Sequence, residues 1–160
     1  MKKTALFMVF GLFLGLAGCG NQVQDDLLNY INNDMSSIID LETKAISEYE
    51  SVTGSNYTND EDMYLHLIEV VLPAYQILIE EAEAIDPDTP EVIQVHELYL
   101  EATNTQYNAI IKVLAALEAQ DYDLISDANH MLSEGRSEMR NFIKSVQQLA
   151  EENNVEITED

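Results

Sequence analysis

The feature that most limits what this chain can fold into is a succession of four apolar stripes, each stepping by three or four residues. Leu28, Ile31, Met35, Ile38, Ala45, Tyr49 and Val52 form the first, with Glu42 standing where an apolar residue is due. Tyr64, Ile68, Val71, Tyr75, Leu78, Ala82 and Ile85 form the second without a gap. Val92, Val95, Tyr99, Ile110, Val113 and Leu117 mark the third; Leu124, Ala128, Met131, Met139, Phe142, Val146 and Leu149 mark the fourth. Residues so spaced share one face of a helix, whereas a half-buried strand needs alternation at every second position. No segment sustains such alternation, and after residue 20 glycine occurs only at 54 and 135.

Punctuation divides the stripes. The first helix is expected over about 24–53, with Gly54 as its stop. Thr58 and Glu61 form a capping box for the second, which Asp86-Pro87-Asp88 closes and Pro73 should kink. Thr89 as N-cap, Pro90 at the first helical position and Glu91 behind it open the third, to about residue 119. Asp121 opens the fourth, which fades at 151–154. Four helices of about 30 residues, each about 45 Å long and joined by short turns, predict an all-α fold: an antiparallel up-down-up-down four-helix bundle after a cleaved signal peptide. The division that follows is 1–18 leader, 19–24 anchor and tether, 25–153 bundle and 154–160 acidic tail.

The leader carries its own signature. Lys2 and Lys3 precede an apolar stretch from Ala5 to Ala17. Its length of about 13 residues suits a signal-peptide core and falls short of the roughly 20 needed to span a bilayer. Leu16-Ala17-Gly18-Cys19 follows, and this segment resembles the lipobox signal peptide of bacterial lipoproteins. The resemblance implies cleavage before Cys19, a diacylglyceryl group on its thiol, and acylation of the new amino terminus by a fatty acid such as palmitate. It also implies a mature chain at the cell membrane, lipid-anchored and facing the extracytoplasmic side. A plain secretory signal with an incidental cysteine, or an uncleaved short anchor, are the alternatives. Cys19 is the single cysteine, so no intrachain disulfide competes for it. Two acyl chains, at about 0.8 kcal/mol per buried CH₂, suffice for stable attachment. The tether from Gly20 to Gln24 reaches at most about 18 Å. The turn at 86–89 and the C-terminal tail should therefore lie near the bilayer, and the turns at 54–60 and 119–123 should face away.

Charge narrows the partners. Behind the leader, thirty acidic side chains face five basic ones, Lys44, Lys112, Arg136, Arg140 and Lys144, a formal charge of about −25. No nucleic acid is expected, because its phosphates need lysine and arginine. Flat adhesion to an anionic leaflet is disfavoured too. Cationic ligands, metal ions and basic partners stay open, beside a merely solvated acidic surface.

Three candidate sites emerge. Halfway along the bundle the seams turn polar, with Glu42, Tyr75, Thr103, Gln106, Arg136 and Arg140 at matching height. This layer reads either as a small-ligand or cation pocket between helices or as a buried network fixing register. A second candidate is an interaction face on the second helix, Leu67, Val70, Leu72, Ile77 and Ile79, joined by Tyr57 and Tyr122 of the distal turns. A helix apolar on nearly every side is either central or covered by an envelope protein or a second copy. Metal is the third and weakest. His66, His96 and His130 stand alone, read as surface or edge residues, and only Asp127-x-x-His130 approaches a di-iron pattern. No metal or cofactor is expected. No nucleophile elbow or Ser/Cys–His–acid arrangement is legible, so the chain is read as non-enzymatic.

Overall fold

The computed structural model describes residues 12–16 and 21–159; residues 1–11, 17–20 (Cys19 among them) and 160 lie outside the described residues. The first helix, α1, spans 22–51 as a helix Gln22–Asn29, a π turn Tyr30–Asp34 and a helix Met35–Ser51. The second, α2, spans Asp60–Glu83 with a π turn at Leu67–Val71. The third and fourth, α3 (Pro90–Ala119) and α4 (Tyr122–Glu152), run without interruption. The fold is all-α, as the stripes predict. One short ribbon is added to it: β1 (Leu12–Leu16) pairs antiparallel with β2 (Val155–Glu159), Leu16 opposite Val155 and Leu12 opposite Glu159.

The helix starts follow local chemistry. Asn21 caps α1 by accepting from the Gln24 amide at 2.8 Å. Asp121 caps α4 as expected, accepting from the amides of Asp123 and Leu124. At α2 the cap is Asn59 rather than Thr58: the Asn59 side chain accepts from the Asp62 amide at 2.9 Å, while the Thr58 hydroxyl donates to the Asp62 carboxylate. Asn and Thr both carry the necessary oxygen, and the chain uses the one nearer the first turn. Gly54 has φ +59°, a left-handed conformation that suits glycine, and opens a short 3₁₀ turn at Gly54–Asn56.

Both π turns are additions to what the stripes imply. In α2, Leu72 N–H donates to the carbonyl of Leu67, five residues back. The extra residue changes the bonding frame directly ahead of Pro73, which has no N–H and would crowd a carbonyl four residues upstream. The proline expected to kink α2 is thus preceded by a change of helical register.

The core is continuous along all four helices. Leu27, Tyr30, Ile38, Leu67, Val71, Leu78, Val92, Tyr99 and Ile110 are each at most 1% exposed. Side-chain pairs fix how the helices lie. His66, early in α2, meets Glu48, late in α1, at 3.0 Å, and Tyr64 donates to Glu118 of α3 at 2.6 Å. Lys112 of α3 faces Asp127 of α4 at 3.6 Å. The most extensive contact is between α3 and α4, and Gly135 permits it: a Cβ there would stand 2.8 Å from Gln106 Cγ and 3.3 Å from the Ala102 carbonyl. Two turns along from that close approach, Tyr99 meets Phe142 edge to face at 5.3 Å.

The segment read as an acidic tail is β2. Asn154 takes a left-handed turn at φ 56°, which asparagine tolerates better than most residues. Val155 is then buried, and Ile157 packs against the core.

Candidate functional site

The polar layer forms, but with fewer members than expected. Tyr75, Thr103 and Gln106 are all buried at 4% exposure or less. Tyr75 donates to the Gln106 side-chain carbonyl at 3.3 Å, and the Thr103 hydroxyl returns to the Tyr99 carbonyl at 2.9 Å. Glu42 is half-buried as a residue. Its carboxyl is desolvated strongly enough to be pushed from 4.5 up to about 7. Its charge acts on both Tyr75 and Tyr99, whose hydroxyls burial has already raised far above the ordinary phenol value. Arg136 is half-buried and exerts its charge on Tyr49, which burial nevertheless holds up at about 12. Arg140 is exposed and does not join the layer. It falls four residues beyond Arg136, but the inward stripe of α4 runs through Gly135, Phe142 and Val146.

A second polar cluster, near the start of α1, escaped the sequence reading. The Asp26 carboxylate accepts from the Asp88 amide at 3.1 Å and, through its other oxygen, from the Thr89 amide at 2.7 Å and the Thr89 hydroxyl at 2.5 Å. It thereby ties α1 to the turn between α2 and α3. Thr89, expected to cap α3 with its side chain, gives that hydroxyl to Asp26 instead. Behind it, the Tyr30 hydroxyl lies 3.0 Å from His96 Nδ1 with the rings edge to face. His96 is 4% exposed, which corrects its reading as a surface or edge residue; burial lowers its basicity and favours the neutral ring. An Asp or His on a polar-looking helix start gives no sign in sequence of a partner sixty residues away.

On α2 the interaction candidates separate. Leu67 is fully buried and belongs to the core, which removes it from any surface. The π turn that begins at Leu67 re-aims the residues around it, so a stripe drawn at uniform helical pitch misplaces this one. Val70, Leu72 and Ile79 are half-buried, and Ile77 is 49% exposed. Leu65, not singled out from sequence, is 47% exposed, and Ile68, read as a member of the inward stripe, is 39% exposed because the π turn puts Leu67 in its place. The most apolar 18-residue window of α2 has a mean hydropathy of 1.3, yet only 28% of it is buried. Ile111 of α3 adds a further exposed aliphatic on a helix that α2 touches through Gln76–Tyr107 and Tyr64–Glu118.

Tyr57 and Tyr122, 47% and 89% exposed, line a cavity of about 620 Å³ between the 54–60 and 119–123 turns. Its volume falls within the range of small-molecule sites. Elsewhere, His66 bridges Ser51 and Glu48, and Asp127 of the Asp127-x-x-His130 pattern pairs with Lys112. Among the described residues, no three His, Cys, Asp or Glu side chains converge as metal ligands would.

A family model described as EMYY-motif containing lipoprotein matches residues 1–159. No curated protein and no solved structure matches the chain. The tetrapeptide Glu-Met-Tyr-Tyr itself does not occur; the one Met-Tyr pair is Met63-Tyr64, between Asp62 and Leu65 in the first turns of α2.

Proposed function

Because the chain belongs to the EMYY-motif containing lipoprotein family, we propose that it is anchored by lipid on Cys19 to the extracytoplasmic face of the cell membrane. There it works as a non-enzymatic protein-interaction module. The leader is the cleaved signal peptide, and α1–α4 form an antiparallel up-down-up-down bundle on a short tether. In this reading α1 begins at Gln22, three residues after the anchor, so the start of α1 and the 86–89 turn stand near the bilayer.

One observation carries the interaction role: α2 leaves Leu65, Ile68 and Ile77 between 39% and 49% exposed. Burying such side chains contributes about 25 cal/mol per Å² of apolar surface, and a soluble domain that leaves several uncovered on one helix gains from a partner. The formal charge of about −25 keeps acidic surfaces and anionic lipid away from that helix. The occupant is therefore a protein of the envelope with an apolar, neutral-to-basic face.

Crosslinking and capture from native membranes test this. The intact lipoprotein should retain one defined partner, and a Leu65→Glu/Ile68→Glu variant should lose it while keeping its helix content. Capture unchanged by the double substitution would overturn the assignment. Light scattering on the detergent-solubilised chain separates the homodimer, which would replace the foreign partner by a second copy on the same face.

A further inference from the structure

The cavity at the end of the molecule away from residue 21 has a composition that selects its ligand. Its floor is apolar: Met63 and Val113 are buried, and Leu117 and Ile125 pack against the core beside them. Its wall and mouth are aromatic and acidic, built from Tyr49, Tyr57, Tyr122, Asp60 and Asp121. None of the residues lining it is Lys, Arg or His. Arg136, whose charge acts on Tyr49, is not among them.

The parts are held from different directions. Tyr49 comes from the last turns of α1, and burial raises its hydroxyl to about 12, so it stays a neutral phenol. Tyr57 donates to Asp60 Oδ1 at 2.8 Å, which fixes its ring at the rim and leaves the second carboxylate oxygen of Asp60 without that bond. Asp121 accepts from two amides through Oδ1, which leaves Oδ2 outside the cap. Tyr122, directly after it, is 89% exposed, far more than a tyrosine with a packing role.

Phenol faces attract cations through the ring quadrupole, the more strongly the less water reaches them. A carboxylate adds charge attraction, and a greasy floor accepts the apolar remainder of a ligand. An anion finds no donor of positive charge here. A small inorganic cation would gain nothing from Met63, Val113, Leu117 and Ile125. We propose that this cavity is a binding site for an organic ammonium ion with an apolar body, its charged nitrogen between Tyr57 and Tyr122 and its apolar part on the Met63 floor. This site is separate from the α2 face, and the two readings stand or fall independently.

Titration calorimetry on the full chain in detergent, with benzyltrimethylammonium as probe, tests the assignment. Benzyl alcohol and phenylacetate serve as the neutral and anionic counterparts. The cation should bind at one site per chain and shift the methyl resonance of Met63. Phenylacetate should not bind, and benzyl alcohol should bind at least tenfold more weakly. Tyr122→Ala should weaken the cation at least threefold. The double variant Asp60→Asn/Asp121→Asn should weaken it about tenfold; asparagine caps a helix as well as aspartate does, so the fold is kept and circular dichroism verifies it. Equal binding of benzyl alcohol, cation binding unchanged in both variants, or no binding at millimolar probe would each overturn the proposal.

Discussion

Glu42 makes stability depend on pH in a direction opposite to that of an ordinary surface carboxylate. In the folded chain its carboxyl is pushed from 4.5 to about 7 by burial, so folding disfavours its ionised form. Below about pH 4.5 it is protonated both folded and unfolded and costs nothing. As pH rises through 7 the unfolded chain has already released the proton, and the folded chain must ionise a desolvated group. At about 1.36 kcal/mol per pH unit between the two values, the cost reaches about 3 kcal/mol above pH 8. Glu42→Gln keeps the shape and removes the titration. Urea unfolding of wild type and variant from pH 4 to 8.5 should show the variant gaining about 3 kcal/mol relative to wild type across that range, most of it between pH 5 and 7. The other carboxylates titrate in both proteins and cancel in the difference. A constant offset from the amide does not matter, because the slope is what is read. A difference that stays flat with pH would refute the placement of Glu42 in the layer with Tyr75 and Tyr99.

Other perturbations probe the remaining contacts. Gly135→Val should destabilise by about 2 kcal/mol despite removing a helical glycine, because its Cβ meets Gln106 and the Ala102 carbonyl; thermal melting reads this. Asp26→Ala strands the Asp88 and Thr89 amides and should cost about 2–4 kcal/mol, with amide exchange rising first at 86–89. Tyr30→Phe leaves His96 Nδ1 unpaired in the core and should cost about 1–3 kcal/mol by the same melting assay. Processing before Cys19 would remove β1, so amides of 155–159 that bond to it should exchange faster in the mature chain than in an unprocessed Cys19→Ser precursor.

The four helices were legible because each stripe steps by three and four over about six or seven turns and each boundary carries its own chemistry, most plainly at Asp121 and Pro90. The polar layer was legible at Glu42, Thr103 and Gln106 for a related reason: a polar residue interrupts an otherwise apolar stripe. What stayed hidden depends on contacts between distant residues. Asp26 and His96 look like ordinary helix-surface residues until the turn at 88–89 and the Tyr30 hydroxyl are placed beside them. Leu67 was assigned to a surface and lies in the core because a π turn adds a residue to the local frame, a change no hydrophobic pattern records. The β2 strand is too short and too acidic for its alternation at Val155 and Ile157 to stand out.

The central claim, that the exposed face of α2 is covered by a protein at the membrane, is tested most directly by hydroxyl-radical footprinting of Leu65, Ile68 and Ile77. The experiment compares native membranes with the detergent-purified chain. The account predicts strong protection of these three side chains in membranes and full labelling after purification, with exposed Ile93 of α3 labelled alike in both. Equal labelling of Leu65, Ile68 and Ile77 in the two preparations would contradict it.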